Sequence, residues 1–590
     1  MSIESRLTNF GSAVLEDRYL LPGEKPDDLF LRVASCYSND KTHAERLYNY
    51  MCKMWFMPAT PILSNGGLER GLPISCFLNE CDDSLSGIAN LWHENVWLAS
   101  RGGGIGSYWG NVRSIGESVG SNGKTSGIIP FIKVMDSLTL AISQGSLRRG
   151  SAATYLPIDH PEIEEFIDMR RPTGDNNRRA LNLHHGICIT DKFMECVEKD
   201  EKWSLISPHT KQVISTVNAR DLWIKILNAR METGEPYLLF IDTVNRAIPE
   251  HQKKLGLSVK TSNLCSEITL PTGTDHLGNE RTAVCCLSSV NLEYYDEWKN
   301  DQQFILDIMY MLDNVLEDFI KRAPDSMKNA KYSAMRERSI GLGAMGFHSY
   351  LQKNNLPFES VAAKSLNKSI FQYIQTQANA ASISIGKERG ACPDAQSVNS
   401  GERFSNKTAI APTASISIIT GGTSPGVEPS NGNYYTHKTL TGSFAVKNKY
   451  LDVVLTKLGQ NTDDVWSSIS SHEGSVSHLE FLDDYTKSIF KTAHEINQMW
   501  IIDFAADRAP YIDQAASNNL FVKSDITKKN LHLLHFNAWK KGVKSLYYLR
   551  SIAMSRADKV SMLVAMENNA VKSSEDNSTG SLYEECVACQ

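Results

Sequence analysis

The N-terminal segment has hydrophobic residues at intervals of three and four, as in DDLFLRVASCYSN (27–39) and AERLYNYMCKMWFM (44–57). Such spacing places apolar side chains on one face of a helix. The segment PATPILSNGG (58–67) ends this pattern, because prolines and a glycine pair interrupt helices. We therefore predict a helical region over residues 1–70.

Further along, short β-favouring runs alternate with helical patterns, which is typical of an α/β domain. Residues 481–510 read as one long helix and its exit, and GVKSLYYLRS (542–551) reads as a last strand. The C-terminal end is polar, with too few apolar residues to pack. We predict an α/β domain over residues 71–560 and a mobile tail over residues 561–590.

Composition narrows the class of protein. The chain has 590 residues, 41% of them hydrophobic and 22% charged, with a net charge of −6. This charge argues against a nucleic-acid binder held by bulk electrostatics. Neither a secretory signal nor an apolar run of membrane-spanning length is visible. A cytoplasmic protein is expected, and most of its twelve cysteines should be reduced and buried.

The segment SNLCSEITLP places an amide, a thiol and a carboxylate at alternate positions, Asn263, Cys265 and Glu267. In an extended segment these side chains share one face. Together they form a compact reactive set: an orienting group, a sulfur centre and a proton acceptor. The alternative is an amphipathic edge strand whose polar face meets water.

Other cysteines also stand out. Cys76 and Cys285 each lie in a β-favouring run, and the pattern does not decide whether they meet or only pack. Cys586 and Cys589 form a C-x-x-C pair at the end of the predicted tail. Zinc needs four ligands, so a mobile dithiol that exchanges with an internal disulfide is favoured over half a zinc site. An idle exposed pair is the other alternative.

The adjacent Tyr547 and Tyr548 should point to opposite faces of the last strand, where they could simply fill both sides of a sheet. In IAPTASISIITGG, the hydroxyls of Thr413, Ser415 and Ser417 and the free N–H groups of a helix start could bind a phosphate. An ordinary capped helix explains this second pattern equally well.

A helix is predicted after Asp83 or Ser84, ending at the glycines 102–104. Its inner face would carry Leu85, Ile88, Trp92, Val96 and Ala99. Arginines in the loops beyond it, Arg113 and Arg148 among them, suit a triphosphate. Solvated loop arginines are the alternative.

In this order, several segments together resemble the large subunit of ribonucleotide reductase. They are SCFLNECDDSL, SQGSLRRGSAAT, SNLCSEITLP, CCLSSVNL, RERSIGLGAMGF, APTASIS and GVKSLYYLRS. The resemblance runs from about Pro61 to Arg550 and includes the terminal dithiol. It implies a ten-stranded α/β barrel, made from two five-stranded halves around a central finger loop and preceded by a helical region.

The resemblance also implies roles. Cys265 would carry a thiyl radical that takes the 3′ hydrogen, with Glu267 as base at the 3′-OH and Asn263 holding the ribose hydroxyls. Cys76 and Cys285 would supply the reducing equivalents and end as a disulfide.

The same resemblance assigns the remaining partners of the reducing chemistry. Cys586 and Cys589 would reduce the internal disulfide and then be reduced by thioredoxin or glutaredoxin. The diphosphate of a ribonucleoside diphosphate would bind Thr60, Ser75 and the run Thr413, Ala414, Ser415, Ile416 and Ser417. A deoxynucleoside triphosphate or ATP effector would bind at a homodimer interface through Asp83, Ser100, Arg113 and Arg148.

The tyrosine pair indicates the class. In class I members, a dyad like Tyr547 and Tyr548 relays a radical from a separate metal-containing small subunit, so no metal or other cofactor is expected in this chain. The alternative is an adenosylcobalamin-dependent (class II) reductase, which generally lacks the dyad. Cys76 occurs too early in the chain for an N-terminal ATP-cone to precede it, so none is expected.

Overall fold

The computed structural model describes residues 3–144, 148–439 and 442–551. Its α-helices are α1 (Asn9–Arg18), α2 (Pro26–Cys36), α3 (Lys41–Cys52), α4 (Thr60–Asn65), α5 (Leu85–Ser100), α6 (Ile129–Ala141), α7 (Ile163–Asp168), α8 (Asp191–Lys199), α9 (Ala219–Thr233), α10 (Ile241–Ala247), α11 (Glu250–Lys254), α12 (Tyr295–Trp298), α13 (Phe304–Arg322), α14 (Lys328–Glu337), α15 (Phe347–Lys353), α16 (Val361–Arg389), α17 (Pro393–Gln396), α18 (Ala414–Ile419), α19 (Lys449–Lys457), α20 (Asp463–Ser471), α21 (Asp484–Ile489), α22 (Gln498–Arg508) and α23 (Lys528–Lys540).

The strands are β1 (Phe56–Pro58), β2 (Cys76–Glu80), β3 (Gly104–Tyr108), β4 (Ser143–Gln144), β5 (Arg148–Arg149), β6 (Ser151–Pro157), β7 (His184–Ile189), β8 (Lys202–Ile206), β9 (Val213–Asn218), β10 (Tyr237–Phe240), β11 (Gly273–Thr274), β12 (Glu280–Arg281), β13 (Ala283–Asn291), β14 (Ile340–Met345), β15 (Tyr434–Thr439), β16 (Gly442–Lys447), β17 (Leu520–Val522), β18 (Ser545–Leu546) and β19 (Leu549–Ser551).

The N-terminal region is helical, as predicted. Helix α2 starts at Pro26, and proline is favourable there because the N–H of the first helical residue makes no hydrogen bond within the helix. The helix buries Leu29, Phe30, Val33 and Ala34 along one face. The apolar run after α3 does not continue that helix. Its residues form β1, which pairs antiparallel with β13 and attaches the helical region to the sheet.

The first half of the barrel is a parallel sheet in the order β2-β3-β6-β7-β10. Parallel strands need crossover connections, and helices such as α5 and α9 provide them on the outside. Strand β2 continues antiparallel onto β13, and β10 continues antiparallel onto β18. These two antiparallel junctions join the first half to the second.

The second half begins with the parallel pair β13 and β14. Isolated parallel bridges then connect Leu342 to Thr408 and Ile410 to Ala516. The segment 514–518 returns to β18, because the backbone N–H of Tyr547 donates to the carbonyl of Asn518. Ten segments thus close into a barrel of two five-membered halves, and the predicted fold is confirmed.

Residues 257–272 form the finger loop, which runs inside this barrel. All of its residues from Thr261 onward are buried. At its closest approach to β3, a Cβ added to Gly106 would lie 1.7 Å from the carbonyl oxygen of Ser262. Only a glycine therefore lets the loop pass this strand.

Two predictions about helices were wrong in detail. Residues 481–510 do not form one helix: α21 ends at Ile489, and α22 starts again only after Asn497 caps it. In α5, the buried face consists of Ile88, Leu91, Asn95, Leu98 and Ala99. Leu85 is 73% exposed. The face is rotated because Asn95 turns inward to hydrogen-bond Asn79 and Ser107.

No helix in the described ranges is both long and apolar enough to cross a membrane.

We expect Gly106→Ala to lower the thermal unfolding midpoint, because the added methyl group meets finger-loop backbone that is packed on its other side. Overpacking of this kind costs about 1–3 kcal/mol. Calorimetry of the purified chain would measure it. Gly401→Ala is the matched control, since its nearest neighbour would be a side-chain atom 4.0 Å away. Equal midpoints for both variants would contradict the close approach.

Candidate active site

Cys76 and Cys285 face each other inside the barrel. They are direct partners across the antiparallel junction of β2 and β13, and both side chains are buried. Residues in this position have Cα atoms roughly 4.5–5.5 Å apart, which is within the range for a disulfide. Burial raises the pKa of the Cys285 thiol. The neighbouring Cys286 instead contacts the carbonyl of Leu312 outside the barrel sheet.

The segment that carries Cys265 is a turn, so the prediction of an extended strand was wrong. Ser266 has a φ of +60°, which reverses the chain there. The amide of Asn263 stabilises the turn, since its Oδ1 accepts from the backbone N–H groups of Glu267 and Ile268, each at 3.1 Å. An extended segment would have left these two N–H groups without this partner.

The turn brings its polar groups to Cys76. Asn263 Nδ2 donates to Cys76 Sγ at 3.2 Å, and Glu267 Oε1 lies 4.0 Å from the same sulfur. The predicted amide and carboxylate therefore converge on the thiol of Cys76, through a turn, and not on the thiol of Cys265 that lies between them in the sequence. Cys265 itself is buried in a cluster that also contains Tyr547.

Residues 514–517 support the turn from the other half of the barrel. The Ala515 N–H donates to the Glu267 carbonyl at 2.9 Å. Ser517 Oγ is 2.5 Å from the Cys265 carbonyl and 3.2 Å from Glu267 Oε2. Nothing in the local sequence marks this segment, because its role depends on a contact across 250 residues.

Gln514 in the same segment contacts the second cysteine. Its Nε2 lies 3.6 Å from Cys285 Sγ and 3.1 Å from the Ile340 carbonyl. The ammonium of Lys544 donates to the consecutive carbonyls of residues 512–514, at 2.6, 3.1 and 2.7 Å. Burial lowers the pKa of Lys544 to about 8. Both residues were missed by the sequence analysis.

The tyrosines do not point to opposite faces, contrary to the prediction. Their ring centroids are 4.3 Å apart, because the strand is interrupted between β18 and β19 at these two residues. Tyr237 of β10 completes a group of three rings, 4.7 Å from Tyr547 and 5.1 Å from Tyr548. Tyr547 is buried and Tyr548 is only partly buried.

A charged group adjoins the outer tyrosine. The Tyr548 hydroxyl lies 3.2 Å from Nδ1 of His184, and that nitrogen lies 2.6 Å from Glu235 Oε1. Burial alone would raise the pKa of Glu235, but the charges of Arg170 and His184 hold it well below its ordinary value. Glu235 is therefore an ionised carboxylate, and a histidine links it to the ring group.

Thr413 is the N-cap residue of helix α18 and has a φ of +52°. Ala414 and Ser417 line a cavity of about 570 Å³ that also reaches Tyr547 and Arg550. The Thr413 hydroxyl accepts from the Gly426 N–H at 2.7 Å, so it supports the loop. Ser415 and Ile416 are buried in the same helix.

Two further predicted phosphate ligands lie near these elements. Thr60 Oγ1 is 2.9 Å from the hydroxyl of Tyr19, which ends α1, and α1 packs on α18. The buried hydroxyl of Ser75 has no hydrogen-bond partner among the described residues.

The predicted effector residues divide into two groups. Arg113 forms a paired contact with the Asp83 carboxylate at 2.9–3.1 Å, and His209 Nδ1 lies 3.1 Å from it. Ser100 is the last residue of α5, the 16-residue helix that follows Asp83, and a helix of that length spans about 24 Å. The side chain of Arg148, and all of Cys586 and Cys589, lie outside the described residues.

In the part of the chain that is described, no group of three or more His, Cys, Asp or Glu side chains is placed to hold a metal ion.

Mild oxidation should join Cys76 to Cys285, since the strand register already opposes them. Peptide mapping of the acid-quenched, alkylated protein by mass spectrometry would detect the bridge. Cys286 is the internal control, because it projects away and should stay a free thiol. A bridge from Cys286 to either residue would contradict the register.

Comparison with known proteins agrees with this arrangement. The ribonucleotide reductase all-alpha domain matches residues 5–71, and the ribonucleotide reductase barrel domain matches residues 74–399 and 394–549. A ribonucleoside-diphosphate reductase large subunit of invertebrate iridescent virus 3 is 41% identical, covering 92% of this chain and 94% of that protein. The large subunit of Arabidopsis thaliana is 32% identical, covering 98% and 82%. The structure of the Actinobacillus ureae class Id ribonucleotide reductase alpha subunit has a TM-score of 0.83 and 35% identity, covering 92% of this chain and 97% of that one. This chain therefore belongs to the ribonucleotide reductase large-subunit family and is an oxidoreductase.

Proposed function

We propose that this chain reduces ribonucleoside diphosphates to 2′-deoxyribonucleotides by thiyl radical chemistry, with the radical supplied by a separate small subunit. The observation that carries the proposal is the convergence of Asn263, Glu267 and the opposed pair Cys76 and Cys285 around the finger loop. Relatives over nearly the whole chain bear the name ribonucleoside-diphosphate reductase large subunit.

The reaction begins at the finger loop. The sulfur radical of Cys265 removes the hydrogen atom from C3′, while Glu267 takes the proton of the 3′-OH. Asn263 positions the ribose hydroxyls. A buried site suits this step, because exclusion of water protects a radical from side reactions. After reduction, Cys265 returns its hydrogen atom to C3′ and is a radical again.

The opposed cysteines do the reduction. Their thiols supply two protons and two electrons: the 2′-OH leaves as water, a hydrogen replaces it at C2′, and a disulfide forms between Cys76 and Cys285. Their register requires little backbone movement for that bond. Cys586 and Cys589 would then reduce the disulfide by exchange, and thioredoxin or glutaredoxin would reduce them in turn.

The group of three aromatic rings connects the partly exposed Tyr548 to the buried surroundings of Cys265, and the radical would be transferred through it. Tyr547 packs in the cluster of Cys265, and Tyr548 packs against that cluster while remaining partly exposed. Ring contact at 4.3 Å allows transfer between them. The metal cofactor of the small subunit would supply the oxidising equivalent, which arrives at Tyr548. The dyad disfavours adenosylcobalamin as the radical source.

The substrate diphosphate would bind at α18, with the N–H groups of residues 414–416 and the Ser417 hydroxyl toward the cavity. Thr60 and Ser75 would complete the substrate contacts. The orphaned Ser75 hydroxyl fits such a role, because buried polar groups normally have partners.

The effector site requires two subunits. Asp83 and Arg113 lie at one end of α5 and Ser100 at the other, too far apart for one nucleotide. Antiparallel pairing of two α5 helices in a homodimer would bring Ser100 of one copy to Asp83 of the other. The exposed apolar surface of Leu85 and Trp97 on α5 is suited to such an interface.

With an effector triphosphate and a dithiol reductant supplied, we expect conversion of CDP to dCDP only when the metal-loaded small subunit is added. Cys265→Ser and Tyr548→Phe should abolish it, because each removes an obligatory radical site. The product would be quantified by chromatography.

Matched controls separate chemistry from folding. Cys286→Ser alters a buried cysteine outside the site, and Tyr485→Phe alters a tyrosine that is 57% exposed. Both should keep the activity. Turnover with adenosylcobalamin and no small subunit would refute the class I assignment.

Arg113→Ala should remove the influence of effectors on substrate choice while leaving effector-free turnover in place. Coupling between two such sites is typically about 1–3 kcal/mol, or 5–150-fold in affinity. Competition among CDP, UDP, ADP and GDP, with and without each effector, would measure it. Arg171→Ala, which breaks only surface ion pairs with Asp168 and Glu232, should behave as wild type. Unchanged effector selectivity in Arg113→Ala would exclude this residue.

A further inference from the structure

We propose that Gln514 is a positioning residue for the reducing cysteines: its amide donates to the Cys285 sulfur, restrains it and favours the dithiol over the disulfide. This inference rests on the proposed function, because it assumes that the two cysteines are the reductant. It adds a residue that touches a reacting sulfur, from a segment that carries no recognisable motif.

The orientation of the Gln514 amide follows from its neighbours. Oε1 accepts from the backbone N–H of Thr269 at 3.2 Å, and a backbone N–H can only donate. Nε2 must therefore point the other way, toward Cys285 Sγ and the Ile340 carbonyl.

The side chain has little freedom to leave this position. Gln514 is fully buried. Its backbone N–H donates to the Thr408 carbonyl, and its own carbonyl accepts from Lys544 Nζ at 2.7 Å. Because the ammonium also binds the carbonyls of residues 512 and 513, the backbone on the N-terminal side of Gln514 is restrained.

The contacts of Gln514 join three parts of the site. Cys285 belongs to β13, Ile340 to β14, and Thr269 to the end of the finger loop. A Cβ added to Gly341 would lie 3.1 Å from Cys285 Sγ, so β14 encloses the sulfur on a further side. The amide and this close strand together restrict where the sulfur can move, and Cys76 is the residue opposite Cys285 in the strand register.

The amide also affects the energy of oxidation. A thiol or thiolate sulfur carries more negative charge than a disulfide sulfur, so an N–H donor stabilises the reduced form more. Burial raises the pKa of the Cys285 thiol, and the Gln514 contact opposes that rise. Loss of the donor should therefore make the pair easier to oxidise and harder to reduce.

The test measures the equilibrium between Cys76–Cys285 and dithiothreitol in the full chain, without substrate. Two protein thiols lose two electrons and two protons and form a disulfide, while oxidised dithiothreitol gains them and opens. Acid quenching, alkylation and peptide mapping give the oxidised fraction. In Gln514→Met, the ratio of oxidised to reduced dithiothreitol at half-oxidation should fall roughly three- to tenfold, the effect of one hydrogen bond.

Gln252→Met is the matched control. Gln252 is also fully buried, but its amide donates to Asn406 and touches no cysteine. It should leave the midpoint ratio unchanged. If Gln514→Met does not fold, Gln514→Asn keeps an amide that is one methylene too short to reach the sulfur, and it should shift the ratio in the same direction.

The outcomes separate the two proposals. A Cys76–Cys285 disulfide with the same midpoint ratio in wild type and in a folded Gln514 variant would overturn the role of Gln514 alone. If wild type never forms this disulfide, both the role of Gln514 and the proposed reductant fail. A shift of equal size in Gln252→Met would also overturn the role of Gln514, since the effect would then be general loosening.

Discussion

A loop of backbone buried inside a closed barrel is the constraint on which the rest of this structure depends. Buried N–H and carbonyl groups must find partners, or each costs free energy. The finger loop meets this need with side chains from the structure around it: Asn245 of α10 with Val259, Tyr155 of β6 with the Asn263 carbonyl, and Ser517 with the Cys265 carbonyl. The partners that satisfy the loop are therefore also the groups that position its reactive residues.

The two halves of the barrel contribute differently. The first is a regular parallel sheet whose close approach at Gly106 admits the loop. The second contains irregular segments joined by single bridges, and these leave side chains such as Gln514 and Ser517 free to turn inward. Antiparallel junctions connect the halves, and one of them opposes Cys76 and Cys285. The regular sheet of the first half is a rigid support for the finger loop. The irregular segments of the second half supply the polar contacts at the centre of the barrel.

Two buried charged groups near the site, Lys544 and Glu235, each have specific partners. Lys544 is buried near the site, yet its ammonium is directed entirely to backbone carbonyls. Glu235 is ionised because Arg170 and His184 accompany it, and it lies beside the outer tyrosine rather than beside Cys265. The interior around Cys265 remains mostly apolar and aromatic.

The sequence by itself determined the helical N-terminal region, the α/β alternation and the reactive residue types, because periodicity and motifs are local properties. It could not determine the turn at Ser266, the contact of the two tyrosine rings or the rotated face of α5. Each has a contact with a residue from another element: Ser517 supports the turn that Asn263 stabilises locally, Tyr237 packs against the rings, and Asn79 hydrogen-bonds Asn95. Only the tertiary structure brings Gln514 to Cys285. Their hydrogen bond joins residues 229 positions apart, and the local sequence around either residue does not indicate the other.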